Sequence, residues 1–140
     1  MTRMIFVNLP VRDLGPSGAF YRALGGTVNG LFSDEQATCV MFSDTIGVML
    51  LTHERYSQFT SRPIGDARAQ SQALLALSVE TREDVDTAIA AAVAAGGTAD
   101  PNPVQDLGFM YSRSAEDPDG NVWEILWMDP AAAESGPPAG

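Results

Sequence analysis

One cysteine, Cys39, and one histidine, His53, are all that the 140 residues hold of these two types, and lysine is missing altogether. A single cysteine excludes an internal disulfide and any cysteine-rich metal centre, so the fold does not depend on an oxidising compartment. Cys39 reads as a small buried hydrophobe on a strand. His53 has no serine, cysteine or second histidine spaced near it to form a catalytic triad, and its place just past a strand makes it a rim residue. The basic groups number 8, all arginine, against 18 acidic ones, for a formal charge of −10. Nucleic-acid backbones and anionic membranes are poor partners for such a chain, and a basic ligand suits it better. No stretch approaches the roughly eighteen apolar residues of a membrane-spanning helix. The opening Met1-Thr2-Arg3-Met4-Ile5-Phe6 has neither a long apolar run nor a small-residue cleavage pattern, so a cytoplasmic location is the default expectation. Phosphate-cradling loops are absent too, because Gly25-Gly26 and Gly96-Gly97 stand where helices stop.

What is present suffices for one domain, since 45% of the residues are hydrophobic. Ile5 to Val11 alternates as a strand. Asp13 caps a helix with Pro16 near its first turn and Phe20, Ala23 and Leu24 as its apolar stripe, ended by Gly25-Gly26. Three short strands follow, roughly Thr27 to Phe32, Gln36 to Phe42 and Gly47 to Thr52. Residues 54–72 break the pattern as a connecting loop with a short helix, of the length that lids and crossovers have. The order then restarts. Ala73 to Val79 is a strand, Thr81 and Asp84 open a helix lined by Val85, Ile89, Ala92 and Val93, and Gly96-Gly97 ends it. Strands near Thr98, Gly108 to Ala115 and Val122 onward complete the second unit. Leu9-Pro10-Val11 recurs as Leu77-Ser78-Val79, and Leu24-Gly25-Gly26-Thr27 as Ala95-Gly96-Gly97-Thr98. The expected fold is α+β: two βαβββ modules, about 4–53 and 73–129, closing into one curved mixed sheet with the helices on its convex side. These make a single domain over 1–129, and 130–140 reads as a disordered tail.

The stretch Asp117-Pro118-Asp119-Gly120-Asn121 is turn chemistry, with proline fixing one φ and glycine accepting a positive one. Along the strand that follows, Trp123, Ile125 and Trp127 share one face. Val122, Glu124 and Leu126 share the other, which places one carboxylate among apolar neighbours. Such a charge must be solvated, paired, metal-bound or protonated.

The paired βαβββ order, the opening Leu-Pro-Val-Arg-Asp-Leu with Phe20-Tyr21 on its helix, and the closing Asp-Pro-Asp-Gly-Asn-x-x-Glu together resemble the vicinal oxygen chelate superfamily over about residues 4 to 129. That superfamily includes glyoxalase I, bleomycin and fosfomycin resistance proteins and extradiol dioxygenases. Its enzymes typically hold a divalent metal with side chains from equivalent strands of the two halves. Laid on this chain, the resemblance puts those positions at Phe6, Leu50, Leu74 and Glu124, of which Glu124 alone offers a donor. One carboxylate does not make a divalent-metal site. No cofactor is expected.

On this reading the concave side of the sheet is a largely apolar cup. Phe6, Asn8, Val48, Leu50 and Thr52 of the first half would line it, with Leu74, Ala76, Ser78, Val122, Glu124 and Leu126 of the second. Phe32, Phe42, Tyr56 and Phe59 read equally well as rim aromatics and as core, and Phe42 is assigned to the ligand site. Met110 and Ser112 share one face of the strand before the turn and Tyr111 and Arg113 the other; Met110 and Ser112 are assigned to the cup, while Arg113 as a partner for Glu124 is the alternative. A pocket of this composition suits a hydrophobic or aromatic molecule. The resemblance implies a metal-free homodimer that sequesters such a compound, an antibiotic for example, as bleomycin resistance proteins do. The rival is a glyoxalase-type lyase or isomerase, or a dioxygenase, using Glu124 as base or metal ligand. A third reading is a structural dimer with a filled cup.

Overall fold

The structure, a computed structural model, describes residues 2–138. The first unit comprises β1 (Ile5–Val11), α1 (Leu14–Ala23), β2 (Thr27–Asp34), β3 (Ala37–Met41) and β4 (Ile46–Thr52), and α2 (His53–Tyr56) opens the connection. The second comprises β5 (Leu75–Ser78), α3 (Arg82–Ala94), β6 (Thr98–Ala99), β7 (Gln105–Asp106), β8 (Met110–Glu116) and β9 (Val122–Met128). Residues Pro130–Ser135, expected to lack order, form a short helix, α4, in which Asp129 accepts from the Ala131 amide at 2.9 Å and Ala132 is buried. Positions 139 and 140 lie outside the described residues.

Local chemistry explains the helix limits. Asp13 caps α1 by accepting from the Gly15 amide at 3.0 Å. At α3 the Thr81 hydroxyl accepts from the Asp84 amide and the Asp84 carboxylate from the Thr81 amide, each at 3.1 Å, so two orphan donors are satisfied reciprocally. Both helices stop on a glycine with positive φ, Gly25 at +104° and Gly96 at +101°, which preserves the repeat at its most sequence-visible point.

Topology repeats as well. The first sheet runs β1-β4-β3-β2 and the second β5-β9-β8-β6, with β7 also on β8. In each, the first strand lies parallel to the last and the remaining pairs are antiparallel. The α+β class is as the sequence implies. The strands form two sheets of 4 and 5 strands, however, and not one curved sheet. What joins the units is a shared core. Phe20 and Tyr21 of α1 and Val85 and Ile89 of α3 pack with the helix-side faces of both sheets, including Val11, Val40, Val48, Leu50, Trp123 and Ile125. Each such side chain contributes about 1.5–3 kcal/mol by leaving water. The opposite face of each sheet is only partly open: on the first Phe6 is exposed while Ala37, Cys39 and Leu51 are buried, and on the second Ser112 and Ser114 are buried.

Register fixes which residues those open faces carry. Phe6 pairs with Gly47, Asn8 with Met49 and Pro10 with Leu51, whereas Val7, Leu9 and Val11 pair with Val48, Leu50 and Thr52. Val48 and Leu50 are fully buried in the shared core, and Thr52 has the core-side phase and caps α2 by accepting from the Arg55 amide at 3.2 Å. The expected places of Val48, Leu50 and Thr52 in the cup are therefore corrected; Met49 and Leu51 take that face. The reason is physical. From Val48 to Leu51 the strand is apolar on both faces, because β4 lies inside its sheet, so alternation carries no phase. Phe42 is corrected likewise, since its ring packs 5.7 Å from Trp123 against the core.

Candidate functional site

The residues expected to share one cup fall on two open faces. Phe6 and Asn8, with Met49 and Leu51, belong to the first sheet. Leu74, just before β5, and Ser78, Met110 and Glu124 belong to the second. Across that sheet Glu124 stands between Ala76 of β5 and Ser114 of β8. Ser112 shares the face but is buried, as is Ser114, whose hydroxyl accepts from the Asn102 amide at 3.1 Å.

β8 resolves the open question of phase. Tyr111 and Arg113 point to α3: the Tyr111 hydroxyl donates to Asp86 at 2.7 Å, and Arg113 donates to Asp86 at 2.9 Å and to Asp100 at 2.7 Å. The Arg82 guanidinium lies 4.3 Å from the centre of the Tyr111 ring and pairs with Asp106. Hydrogen bonds from Tyr111 and Arg113 lower the Asp86 pKa, and the bond from Arg82 lowers that of Asp106. Arg113 is thus tied to the helix side and does not neutralise Glu124. Among the described residues the ion pairs join Arg55 to Asp34, Arg82 to Asp106 and Arg113 to Asp86 and Asp100, and none reaches Glu124.

Two concavities accompany these faces. A groove of about 310 Å³ crosses the first sheet, with Asn8, Met49 and Leu51 as its floor and Phe32, Arg55 and Phe59 around it. A cavity of about 230 Å³ lies where β1 ends and β9 begins, beneath the 64–73 segment, and takes in Asn8, His53 and Val122. Neither is lined by Glu124.

The divalent metal of superfamily enzymes does not fit this donor set. Among the described residues no three His, Cys, Asp or Glu side chains are grouped to hold an ion. Phe6 and Leu74 bear hydrocarbon, and the open-face positions of β4 are Gly47, Met49 and Leu51. A hard cation takes several oxygens or nitrogens, and Glu124 brings two oxygens of one group.

The residues that sequence reading left unconnected are Asp117 and Tyr21. Asp117 is buried, yet its Oδ1 accepts from the amides of Asp119 at 2.9 Å and Asn121 at 2.8 Å, and its Oδ2 from the Tyr21 hydroxyl at 2.5 Å and Asn121 Nδ2 at 3.0 Å. Trp123 Nε1 donates to the Tyr21 hydroxyl at 2.9 Å. The next carboxylate, Asp119, accepts from the Arg12 amide at 2.9 Å and the Ser17 hydroxyl at 3.1 Å. The Asp-Pro-Asp-Gly-Asn turn of the second unit thereby locks onto α1 of the first. Burial, then the Asp117 charge, holds the Tyr21 hydroxyl well above its ordinary pKa. The signal was the co-occurrence of the turn motif with Phe20-Tyr21.

With the geometry in hand, comparison with known proteins gives the family. Residues 3–125 match the model of the Glyoxalase/Bleomycin resistance protein/Dioxygenase superfamily, and the chain belongs to that superfamily. A glyoxalase/bleomycin resistance protein/dioxygenase family enzyme from Burkholderia phytofirmans PsJN is 26% identical, with a TM-score of 0.71 over 91% of this chain and 99% of its own. A hypothetical protein of S. aureus is 24% identical at a TM-score of 0.73, covering 91% of this chain and 94% of its own. A glyoxalase-related enzyme from Fulvimarina pelagi is 20% identical at a TM-score of 0.74, covering 91% and 88%. The last two likenesses concern the fold alone. No curated protein matches the sequence.

Proposed function

We propose that this chain is a metal-free small-molecule binding protein that sequesters a hydrophobic or aromatic compound, an antibiotic being one such, and works as a homodimer. The observation that carries the reading is the chemistry of the open sheet faces. Phe6 is 44% exposed and Leu74 54%, and Phe32 at 67% and Phe59 at 72% surround the groove whose floor includes Asn8, while Glu124 lies on the second sheet between Ala76 and Ser114. Exposed apolar side chains in this number suit a ligand or subunit contact. A second copy laid over these faces would close them into ligand grooves. Ring stacking and apolar burial would then supply affinity, while Asn8 and Glu124 would orient the ligand, a basic one suiting the protein's net charge. Protection would be stoichiometric, scaling with protein concentration over Kd, without turnover.

A second reading keeps one support. Glu124 stands outside the ion pairs of the described residues and is only partly buried, so it is free to act as a general base on a bound substrate. One experiment separates the two. Isothermal titration of EDTA-treated protein with a panel of aromatic antibiotics, together with sedimentation velocity, is expected to give one ligand per subunit on a dimer. A monomer that binds none of the panel contradicts the first reading, and conversion of a bound compound favours the second.

A further inference from the structure

The connection between the units does more than span them. The Arg68 guanidinium donates to the Pro118 carbonyl, which docks the 64–73 segment on the Asp-Pro-Asp-Gly turn, while within the segment Asp66 accepts from the Arg68 amide at 3.0 Å. Gly120 makes the approach feasible: its φ is +98°, and a Cβ there would stand 2.5 Å from Arg68 Cγ and 2.8 Å from the Arg68 amide nitrogen. Held in this way, the segment forms a strap over the cavity of about 230 Å³ between β1 and β9.

The cavity combines an apolar floor with unused donors. Leu9, Pro10, Leu75 and Val122 line it on the apolar side, and half-buried Tyr56 with the exposed Asn8, Arg12 and His53 on the polar side. Among the described residues none of those four side chains takes part in an ion pair or a side-chain hydrogen bond, although the Arg12 amide is anchored to Asp119. The two carboxylates at the cavity wall are already supplied with donors, Asp119 from the Arg12 amide and the Ser17 hydroxyl and Asp66 from the Arg68 amide. The volume falls below the roughly 300–1,000 Å³ of drug-sized sites, which suits a small, one-ring molecule. A guanidinium is the group that recognises a carboxylate with two parallel hydrogen bonds.

From these features we propose that the strap cavity, which meets the open sheet faces at Asn8, Pro10 and Val122, is a second binding site for a small monocyclic aromatic carboxylate. Arg12 binds the carboxylate, Asn8, His53 and Tyr56 donate around it, and the ring lies on Pro10, Leu75 and Val122.

The test uses benzoate as probe, followed by calorimetry and by methyl chemical shifts. Saturable one-to-one binding is expected, with shifts at Leu9, Leu75 and Val122, while benzyl alcohol binds at least tenfold more weakly and benzylamine is rejected. Arg12→Gln should weaken benzoate at least tenfold and His53→Gln by about two- to fivefold. Ala73→Trp adds bulk to the cavity lining while retaining Arg12 and should abolish binding in a chain of native circular dichroism, which keeps the test decisive if the arginine variant folds poorly. Phe6→Ala should leave benzoate affinity unchanged and separates this site from the sheet-face reading. Failure of the wild type to bind benzoate, equal binding to Arg12→Gln or Ala73→Trp, or shifts centred on Phe6 and Leu74 would overturn the proposal.

Discussion

Replacing Tyr21 by phenylalanine removes one oxygen from a fully buried position and should be among the most damaging single-atom changes available in this protein. That oxygen donates to Asp117 at 2.5 Å and accepts from Trp123 Nε1 at 2.9 Å. Losing the first bond takes a donor from a buried carboxylate, worth about 1.5–3 kcal/mol, and losing the second strands a buried indole N–H at about 1–3 kcal/mol. Relief from burying a hydroxyl offsets part of this, which leaves a net loss of about 2–4 kcal/mol. A domain of this size has on the order of 7–20 kcal/mol of stability in all, so the loss is a large fraction. At about 4 °C per kcal/mol, Tm should fall by roughly 8–16 °C. Urea unfolding followed by Trp123 and Trp127 fluorescence measures it. The same hydroxyl gives a pH signature with a definite sign. Its folded pKa is raised above the unfolded value near 10, so its contribution is complete below about pH 10 and is lost as pH rises toward the folded pKa. Wild-type stability should therefore decline above about pH 10 by up to ~1.4 kcal/mol per pH unit from this group, and Tyr21→Phe should lack that component. A variant within about 0.5 kcal/mol of wild type, with an unchanged alkaline limb, would refute the reasoning.

Three further outcomes follow from the geometry. Leu50→Ala should cost about 2–5 kcal/mol as a core truncation, whereas Leu74→Ala, on the open face, should cost less than about 1 kcal/mol in the isolated chain; thermal denaturation of the two compares the faces directly. Gly120→Ala should lose about 1–3 kcal/mol, from positive φ and the clash with Arg68, and amide exchange should rise in the 64–73 strap before it rises elsewhere. Arg113→Ala should cost about 1–2 kcal/mol by releasing Asp86 and Asp100, and it should flatten the acid limb of stability, because Asp86, lowered by Tyr111 and Arg113, favours folding above the unfolded value near 4 and loses that effect as pH falls.

The parts of the fold legible in the sequence were those carried by local chemistry. Gly25-Gly26 and Gly96-Gly97 announced the repeat because positive φ at a helix stop is a demand that few residues meet. Thr81 with Asp84 announced α3 for the same local reason. The phase of β4 was hidden because an inner strand is apolar on both faces, and the phase of β8 because Tyr111 and Arg113 read equally well toward a ligand or a helix. Two sheets in place of one could not be read either, since the choice depends on how α1 and α3 share a core. The Tyr21–Asp117 bond spans 96 positions, and no window of sequence contains both ends. Of the expected site, Phe6, Asn8, Leu74, Ser78, Met110 and Glu124 lie on open-face positions, Ser112 shares that face but is buried, and Phe42, Leu50 and Thr52 do not lie there.

The central claim is that the apolar open faces bind a ligand without a metal. Its most direct test is native mass spectrometry of chelator-treated protein with a bound aromatic compound, repeated after addition of divalent ions and with Phe6→Ala. The account predicts one ligand per subunit on a dimer, unchanged by added ions and weakened at least tenfold by the substitution. Binding that appears only when a divalent ion is restored, or that ignores Phe6, would contradict it.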